Sequence, residues 1–174
     1  MVGIDARKTW ASGVFALVIV ASCSTTVDDA EEQNGLVDRA TVIAVVDGDT
    51  VLLRVGASRE SARLIGVDTP ETKHPTKGVQ CFGPQASEFL TRQLPAGTEL
   101  RIERDVEARD AYDRLLLYLF VATPDGERFV NLELVARGFA RPLPIEPNIR
   151  YRHLFVDAAV DAERNRRGLW GVCK

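Results

Sequence analysis

Three short stretches rich in β-branched residues, each ended by a turn, constrain the fold of this chain more than any other sequence feature. They cover residues 41–46, 50–55 and 62–67. Gly48 marks the first turn between them, and Gly56-Ala57-Ser58 marks the second. Apolar runs of this length between turn residues predict three successive β-strands.

The rest of the chain mixes helices with further strands. Residues 69–78 are polar and rich in proline and lysine, which predicts a loop. A proline near the start of a helix and a glycine after its end are typical boundaries. On these signals we predict helices from Gly83-Pro84 to Pro95, at 130–137 and at about 148–167. Alternating apolar residues at 99–103 and a continuous apolar run at 115–121 predict two further strands. This order favours a β-rich α+β fold, a five-stranded OB-fold barrel packed with three α-helices.

The first residues have the layout of a secretory signal peptide. Arg7 and Lys8 precede an apolar run at residues 10–21, which ends in Val20-Ala21-Ser22-Cys23. The run is shorter than the roughly 20 apolar residues of a membrane-spanning helix, so cleavage is favoured over a permanent anchor. The same end also resembles a bacterial lipobox, which predicts a signal peptide at residues 1–22 and a lipid on Cys23. An ordinary secreted protein that is cut nearby is the alternative.

Residues 23–36 are acidic and polar, which predicts a flexible tether before a domain at residues 37–174. We therefore expect an exported protein, either lipid-anchored to the cell membrane and facing outward or secreted. The first 36 residues contain two of the 22 basic and five of the 25 acidic side chains, so the domain has 20 of each. A neutral domain does not predict a broad basic surface for polynucleotides, so any nucleic-acid contact should be local.

Cysteine counting suggests one disulfide. If Cys23 carries lipid, Cys81 and Cys173 form an even pair in an oxidising compartment. A bridge between them would close about 90 residues and stabilise the domain by about 4–5 kcal/mol in the chain-entropy model. Two unpaired buried thiols are the alternative, because spatial separation cannot be read from the sequence.

Three polar clusters contain residues that could perform chemistry. The first, at 47–50, is an ordinary tight turn when taken alone, but its aspartates could also bind a hard divalent cation. The second, at 63–71, places one arginine before several acidic residues, which alone could be a surface ion-pair network. The third, at 110–114, alone could be a charged turn. Together they supply what phosphodiester hydrolysis needs: cation ligands, a carboxylate base and guanidinium groups for the phosphate.

The chain resembles the staphylococcal nuclease (thermonuclease) family from about residue 38 to 171. The motifs that carry the resemblance are VDGDTV at 46–51, RLIGVDTPETKHP at 63–75, GPQA at 83–86, YDR at 112–114, NLELV at 131–135 and GLW at 168–170. The resemblance implies an OB-type barrel and Ca²⁺-dependent cleavage of DNA and RNA toward 3′-phosphate ends.

The resemblance also implies a role for individual residues. Asp49, Asp68 and the backbone carbonyl of Thr69 match calcium ligands, and Asp47 lies beside the metal in a supporting position. Glu71 matches the general base. Arg63 and Arg114 match the arginines that hold the phosphate, and Tyr112 matches a tyrosine that contacts a terminal phosphate.

Two positions depart from the family pattern, which has lysine and glycine where this chain has Ala111 and Asp113. One phosphate contact is then missing, and an extra negative charge is expected beside Arg114. We therefore expect weaker nucleotide binding.

Two alternatives to a nuclease remain open at this point. The domain could be an OB-type binding module that has lost catalysis, or a surface protein whose lipid and tether matter more than its domain. The presence of all six matched catalytic and metal positions favours the enzyme. We expect a monomer with DNA and RNA as substrates, a membrane contact through Cys23 and no protein partner. The chain has two histidines and no Cys-x-x-Cys pair, so a zinc site is not expected.

Overall fold

A computed structural model describes residues 39–72 and 78–173 of the chain. The predicted signal peptide, the tether and Cys23 lie outside these residues. Over the described ranges the chain forms eight strands and four helices. They are β1 (Arg39–Asp47), β2 (Thr50–Val55), β3 (Ser58–Leu64), β4 (Gly66–Asp68), α1 (Gly83–Gln93), β5 (Glu99–Glu103), β6 (Leu115–Thr123), β7 (Gly126–Phe129), α2 (Val130–Ala136), β8 (Arg141–Leu143), α3 (Arg152–Arg164) and α4 (Leu169–Val172).

Five of the strands close into a barrel. Their order is β3-β2-β1-β5-β6, and β6 returns to pair with β3 in parallel, with Ala62 opposite Leu115 and Leu64 opposite Leu117. β7 extends the sheet beyond β6, and β4 pairs separately with β8. The predicted α+β fold, an OB-type barrel of five strands with three longer helices, is therefore confirmed. The four-residue α4 is an addition to it.

A single apolar core joins the barrel to its helices. Leu53, Leu64 and Leu117 are fully buried along the strands, because alternate side chains of a strand point to the same face. Leu134 of α2 and Phe155 of α3 are buried in the same cluster. The helices thus pack against the barrel and form one core with it.

The single strand predicted at residues 62–67 is wrong in two respects, because β3 already begins at Ser58 and the chain breaks between Leu64 and Gly66. Gly66 has φ +79°, a conformation that favours glycine. A Cβ atom there would lie 2.3 Å from the ring of Phe155, so a side chain has no room. The break lets β4 leave the barrel and pair with β8, which places Asp68 at the end of a short separate strand.

Other differences lie at element ends. The last long helix begins at Arg152 rather than 148, because Asn148 is used elsewhere: its side chain bonds both the backbone N–H and the carbonyl of Glu107. The second turn is also shorter than predicted, since Ser58 already begins β3. β7 and β8 were not predicted from the sequence. Within the described ranges, no helix combines the length and the apolar character needed to cross a membrane.

Asn131 is expected to be the most costly polar residue of the core to remove. Its completely buried side chain accepts a bond from Leu119 N and donates to the carbonyls of Ile65 and Leu117. Asn131→Ala would leave these backbone groups unpaired, so we expect a loss of about 3 kcal/mol in the free energy of unfolding. Urea unfolding checks this, with the exposed Asn165→Ala as a control expected to cost below about 1 kcal/mol. Equal losses in both variants would contradict the role of Asn131.

Candidate active site

A polar cavity of about 380 Å³ lies where the β1–β2 turn meets the exits of β3 and β4. Every residue predicted for catalysis or metal binding contributes to its wall. The lining residues are Asp47, Asp49, Thr50, Arg63, Asp68, Thr69, Glu71, Gln80 and Arg114. The tertiary structure therefore brings all three polar clusters of the sequence to one place.

Asp49 is an enclosed carboxylate of the cavity, with a side chain only 14% exposed. One of its oxygens accepts a bond from the Thr50 hydroxyl at 2.9 Å, and the other accepts from Arg63 Nη1 at 2.9 Å. Burial raises the pKa of Asp49 above its usual value, and the nearby charges of Asp47 and Asp68 raise it further, while Arg63 and Thr50 act in the opposite direction. Burial therefore outweighs the pairing with Arg63 at this carboxylate.

Asp47 connects the β1–β2 turn to the polar segment after β4. Its Oδ1 accepts bonds from Gly48 N at 2.8 Å and from the Thr72 hydroxyl at 2.7 Å. Gly48 lies directly against Thr69, because a Cβ atom at Gly48 would be 2.6 Å from Thr69 Oγ1. The glycine thus allows the turn to approach Thr69 closely, beside Asp49.

Arg63 projects from β3 between two aspartates. Besides its bond to Asp49, its Nη2 atom lies 3.4 Å from the carbonyl oxygen of Val67 and 3.9 Å from Asp68 Oδ1. These contacts hold the guanidinium plane across the cavity. The Asp68 side chain is 55% exposed, so it faces solvent at the mouth of the site.

The guanidinium of Arg114 is held by the carboxylate of Asp110. Its Nε and Nη2 atoms both lie 2.7 Å from Asp110 Oδ2, while Asp110 Oδ1 accepts bonds from the backbone N–H groups of Tyr112 and Arg114. Burial alone would raise the pKa of Asp110, but the bonds from Arg114 and Tyr112 lower it below its usual value. Sequence reasoning assigned no role to Asp110, although an aspartate that begins a tight turn could have indicated one.

The expectation about Asp113 is corrected by the structure. Its carboxylate is 88% exposed and lies 3.6 Å from Nε of Arg109, so it pairs with that arginine instead of Arg114. Arg109 also bonds Glu60 at 3.0 Å. Arg109 thus pairs with both Asp113 and Glu60.

Tyr112 lies next to the polar cavity rather than in its wall. The residue is 83% exposed, and its ring centre is 5.5 Å from Cζ of Arg114. It lines a second, more apolar cavity of about 400 Å³, which shares Arg63 and Arg114 with the first. The two arginines thus separate a polar compartment from an apolar one.

Glu71 reaches the cavity from the segment after β4. Its Oε1 atom accepts a bond from Thr72 N at 2.9 Å. Its own N–H donates to Gln80 Oε1 at 2.9 Å, and its carbonyl accepts from Gln80 N at 2.9 Å. Gln80 was missed in the sequence, where nothing links it to a residue nine positions earlier.

The donors available to a metal are oxygen atoms. Within residues 39–72 and 78–173, no three His, Cys, Asp or Glu side chains converge as a ready metal-binding group. The carboxylates of Asp49 and Asp68, the backbone carbonyl of Thr69 and water molecules would have to complete a site together. Such a set suits a hard divalent cation.

A disulfide links the region before α1 to the end of the chain. Cys81 and Cys173 are joined by an S–S bond of 2.06 Å across a sequence separation of 92 residues. Of the two possibilities open from the sequence, the bridged pair is the one that the structure contains. Cys81 follows Gln80 directly, so the bridge lies next to the wall of the cavity.

Comparison with known proteins shows the family of the chain. Residues 61–172 match the family model described as "Staphylococcal nuclease homologue". The thermonuclease of Staphylococcus hyicus is 35% identical over 129 residues, which cover 74% of this chain and 73% of that protein. The thermonuclease of Staphylococcus intermedius is 37% identical over 126 residues, with 72% of each chain covered. Endonuclease YncB of Bacillus subtilis (strain 168) is 34% identical over 143 residues, which cover 81% of this chain and 65% of that protein. The chain belongs to the staphylococcal nuclease family.

Proposed function

We propose that this protein is a Ca²⁺-dependent nuclease that hydrolyses DNA and RNA and leaves 3′-phosphate ends. Membership of the family and the thermonuclease relatives support the coarser statement, a hydrolase that cuts nucleic acids. The observation that carries the finer statement is the cavity in which Arg63, Arg114 and Glu71 meet Asp49 and Asp68.

The two arginines suit the binding of a phosphodiester. Asp49 holds Arg63 and Asp110 holds Arg114, so each guanidinium is oriented before substrate arrives. A planar guanidinium can donate two bonds to phosphate oxygens and stabilise the charge that builds on them. Arg63 and Arg114 would therefore bind the scissile phosphate from two sides of the cavity.

Glu71 suits the activation of water. Its carboxylate lines the same cavity as both arginines, and a bond from Thr72 N orients one of its oxygens. A carboxylate in this place can accept a proton from the water molecule that attacks phosphorus. Attack of this water forms a new bond to phosphorus and breaks the bond between phosphorus and the 5′ oxygen, which leaves the phosphate on the 3′ side. In this proposal the leaving 5′ oxygen takes its proton from solvent.

Calcium fits the oxygen donors near Asp49. Asp49, Asp68 and the carbonyl of Thr69 would hold the cation, with Asp47 supporting the turn that carries Asp49. When bound, the cation supplies positive charge that polarises the phosphate. The closeness of Asp47 and Asp68 to Asp49 supports this assignment, because a cation would offset the repulsion among the three aspartates.

Removal of calcium is expected to abolish cleavage. With single-stranded DNA or RNA as substrate, a chelator should reduce the rate at least 10³-fold, on the order of the loss of a main electrostatic element, and excess Ca²⁺ should restore it. Asp49→Asn should raise the Ca²⁺ concentration needed for half-maximal rate at least roughly tenfold. Asp125→Asn is the matched control, because Asp125 is an exposed residue of the β6–β7 turn.

Two results would contradict the proposed function. Full activity in the presence of the chelator would exclude the calcium mechanism. No cleavage of either DNA or RNA at any Ca²⁺ concentration would favour the alternative of a binding module. End-labelling of the products checks whether the phosphate remains on the 3′ side.

We also propose that the enzyme is exported and anchored to the cell membrane by a lipid on Cys23, and that it acts as a monomer. The layout of residues 1–36 supports export. The disulfide supports an oxidising compartment, where such bonds persist. Mass spectrometry of the protein from membranes tests the lipid. An unmodified Cys23 in the mature chain would contradict the anchor, and light scattering tests the monomer.

A further inference from the structure

We propose that Gln80 is a positioning residue for Glu71, and that the Cys81–Cys173 bridge fixes the turn that carries Gln80. The inference rests on the proposed function, because it concerns how the carboxylate of Glu71 is aimed at the substrate. Two features are thereby added to the site. The side chain of Gln80 bonds the backbone of Glu71, and the next residue, Cys81, is covalently linked to Cys173.

The contact between Gln80 and Glu71 consists of two opposed hydrogen bonds. The N–H of Glu71 donates to Gln80 Oε1 at 2.9 Å, and the N–H of Gln80 donates to the carbonyl of Glu71 at 2.9 Å. Both polar groups of the Glu71 backbone are thereby occupied by one residue. Rotation of the Glu71 backbone would break both bonds together, so the pair restrains the direction in which its side chain leaves the chain.

The turn around Gln80 is fixed to α1 on one side. Gly83 N donates to the carbonyl of Gln80 at 3.1 Å. A Cβ atom at Gly83 would lie 2.9 Å from the carbonyl oxygens of both Pro70 and Glu71, so the first turn of α1 packs directly on the backbone of the base. Glu71 thus lies between Gln80 and the start of α1.

The disulfide fixes the same turn on the other side. It joins Cys81 to Cys173, whose N–H donates to the carbonyl of Leu169 at 2.9 Å. Leu169 is buried, and its N–H donates to the carbonyl of Gly138 at 2.8 Å. The residue next to Gln80 is therefore bonded covalently to a segment that is packed into the core.

The covalent link matters because Gln80 itself is exposed. Water competes for hydrogen bonds at an exposed site, so the two bonds alone would hold Glu71 weakly. A tether that keeps Gln80 within bonding distance removes much of the entropy that this contact would otherwise cost. Loss of the Gln80–Glu71 hydrogen bonds and loss of the Cys81–Cys173 bridge should therefore have effects on kcat that are not additive.

The test compares variants of the full-length, oxidised protein at saturating Ca²⁺ and at 25 °C. Gln80→Met keeps the side-chain length but loses the acceptor, whereas Gln80→Glu keeps an acceptor oxygen. Gln93→Met makes the same chemical change at the last residue of α1 and is the control. We expect kcat to fall roughly tenfold in Gln80→Met with KM within about twofold, and to stay within about threefold of wild type in Gln80→Glu and Gln93→Met.

The bridge is tested by a double-mutant cycle. Cys81→Ser with Cys173→Ser should lower kcat while circular dichroism shows a folded protein. Adding Gln80→Met to that variant should then cost less than it costs in the bridged protein. Full additivity of the two changes would show that the bridge does not act through Gln80, and would overturn that part of the proposal.

A second measurement does not depend on nuclease activity. Amide hydrogen exchange should be faster at Glu71 in Gln80→Met than in wild type or Gln93→Met, because the acceptor of that N–H is lost. A wild-type protein that cleaves no nucleic acid would refute the proposed function. The rate of amide hydrogen exchange at Glu71 would even then show whether Gln80 holds the Glu71 backbone. Unchanged exchange at Glu71, or unchanged kcat in Gln80→Met of an active enzyme, would overturn the positioning role.

Discussion

Glu71→Gln is expected to lower kcat by roughly 10²–10⁴-fold, the range that a general base contributes. The substitution keeps the size of the side chain, and its amide oxygen can still accept the bond from Thr72 N. It removes the group that takes the proton from water. Since Arg63 and Arg114 remain to bind the phosphate, KM should change much less than kcat.

Single-turnover cleavage of a labelled oligonucleotide measures this effect without interference from product release. Glu88→Gln is a suitable control, because Glu88 is exposed on α1 and forms an ion pair with Arg92 on the same helix. A kcat within threefold of wild type in Glu71→Gln would show that another group activates the water. An equal loss in Glu88→Gln would show that the assay reports folding and not chemistry.

Removal of the disulfide is expected to have the largest effect on stability. The bridge spans 92 positions, and the chain-entropy model assigns a loop of that length about 4–5 kcal/mol. Cys81→Ser with Cys173→Ser should therefore lower the free energy of unfolding by about that amount, and the melting temperature by on the order of 10–20 °C. Neither cysteine belongs to the core cluster, so the double substitution leaves the packing of the core intact, and we expect a folded domain at 25 °C.

Denaturant unfolding with and without a reducing agent checks the size of this effect. The reductant should destabilise the wild-type protein by the same amount as the double substitution, and it should have no effect on the double variant. A loss below about 1 kcal/mol would show that the bridge closes a loop that is already restrained in the unfolded chain.

The fold could largely be predicted from the sequence, because each strand of the barrel has a local signal. β5 is an example, since alternation around Leu100 and Ile102 predicts it with the observed ends at Glu99 and Glu103. β8 could not be predicted, because its three residues Arg141–Leu143 contain a proline and gain their pairing only from β4. The break at Gly66 was also missed. The ring of Phe155, which lies 89 positions later in the chain, is what leaves room only for glycine at that position.

The candidate site was predicted as a set of residues but not as a set of contacts. Family motifs selected Asp49, Arg63, Glu71 and Arg114, and these residues line one cavity. They did not indicate Asp110, whose bonds hold Arg114. The predicted signal peptide and the lipid on Cys23 stay predictions, since both lie outside the described residues.

The sequence by itself determined the chemical groups at the Asp47–Thr50 turn and the strands on either side of it, because turn propensity and strand alternation are local properties. Only the tertiary structure decided which groups meet. Closure of the barrel by β3 and β6 brings Arg63 and Arg114 to one cavity. The pairing of Glu71 with Gln80, and the bridge beside it, likewise depend on contacts between distant positions. Such contacts form only when the whole core packs, so they cannot be predicted from a local pattern in the sequence.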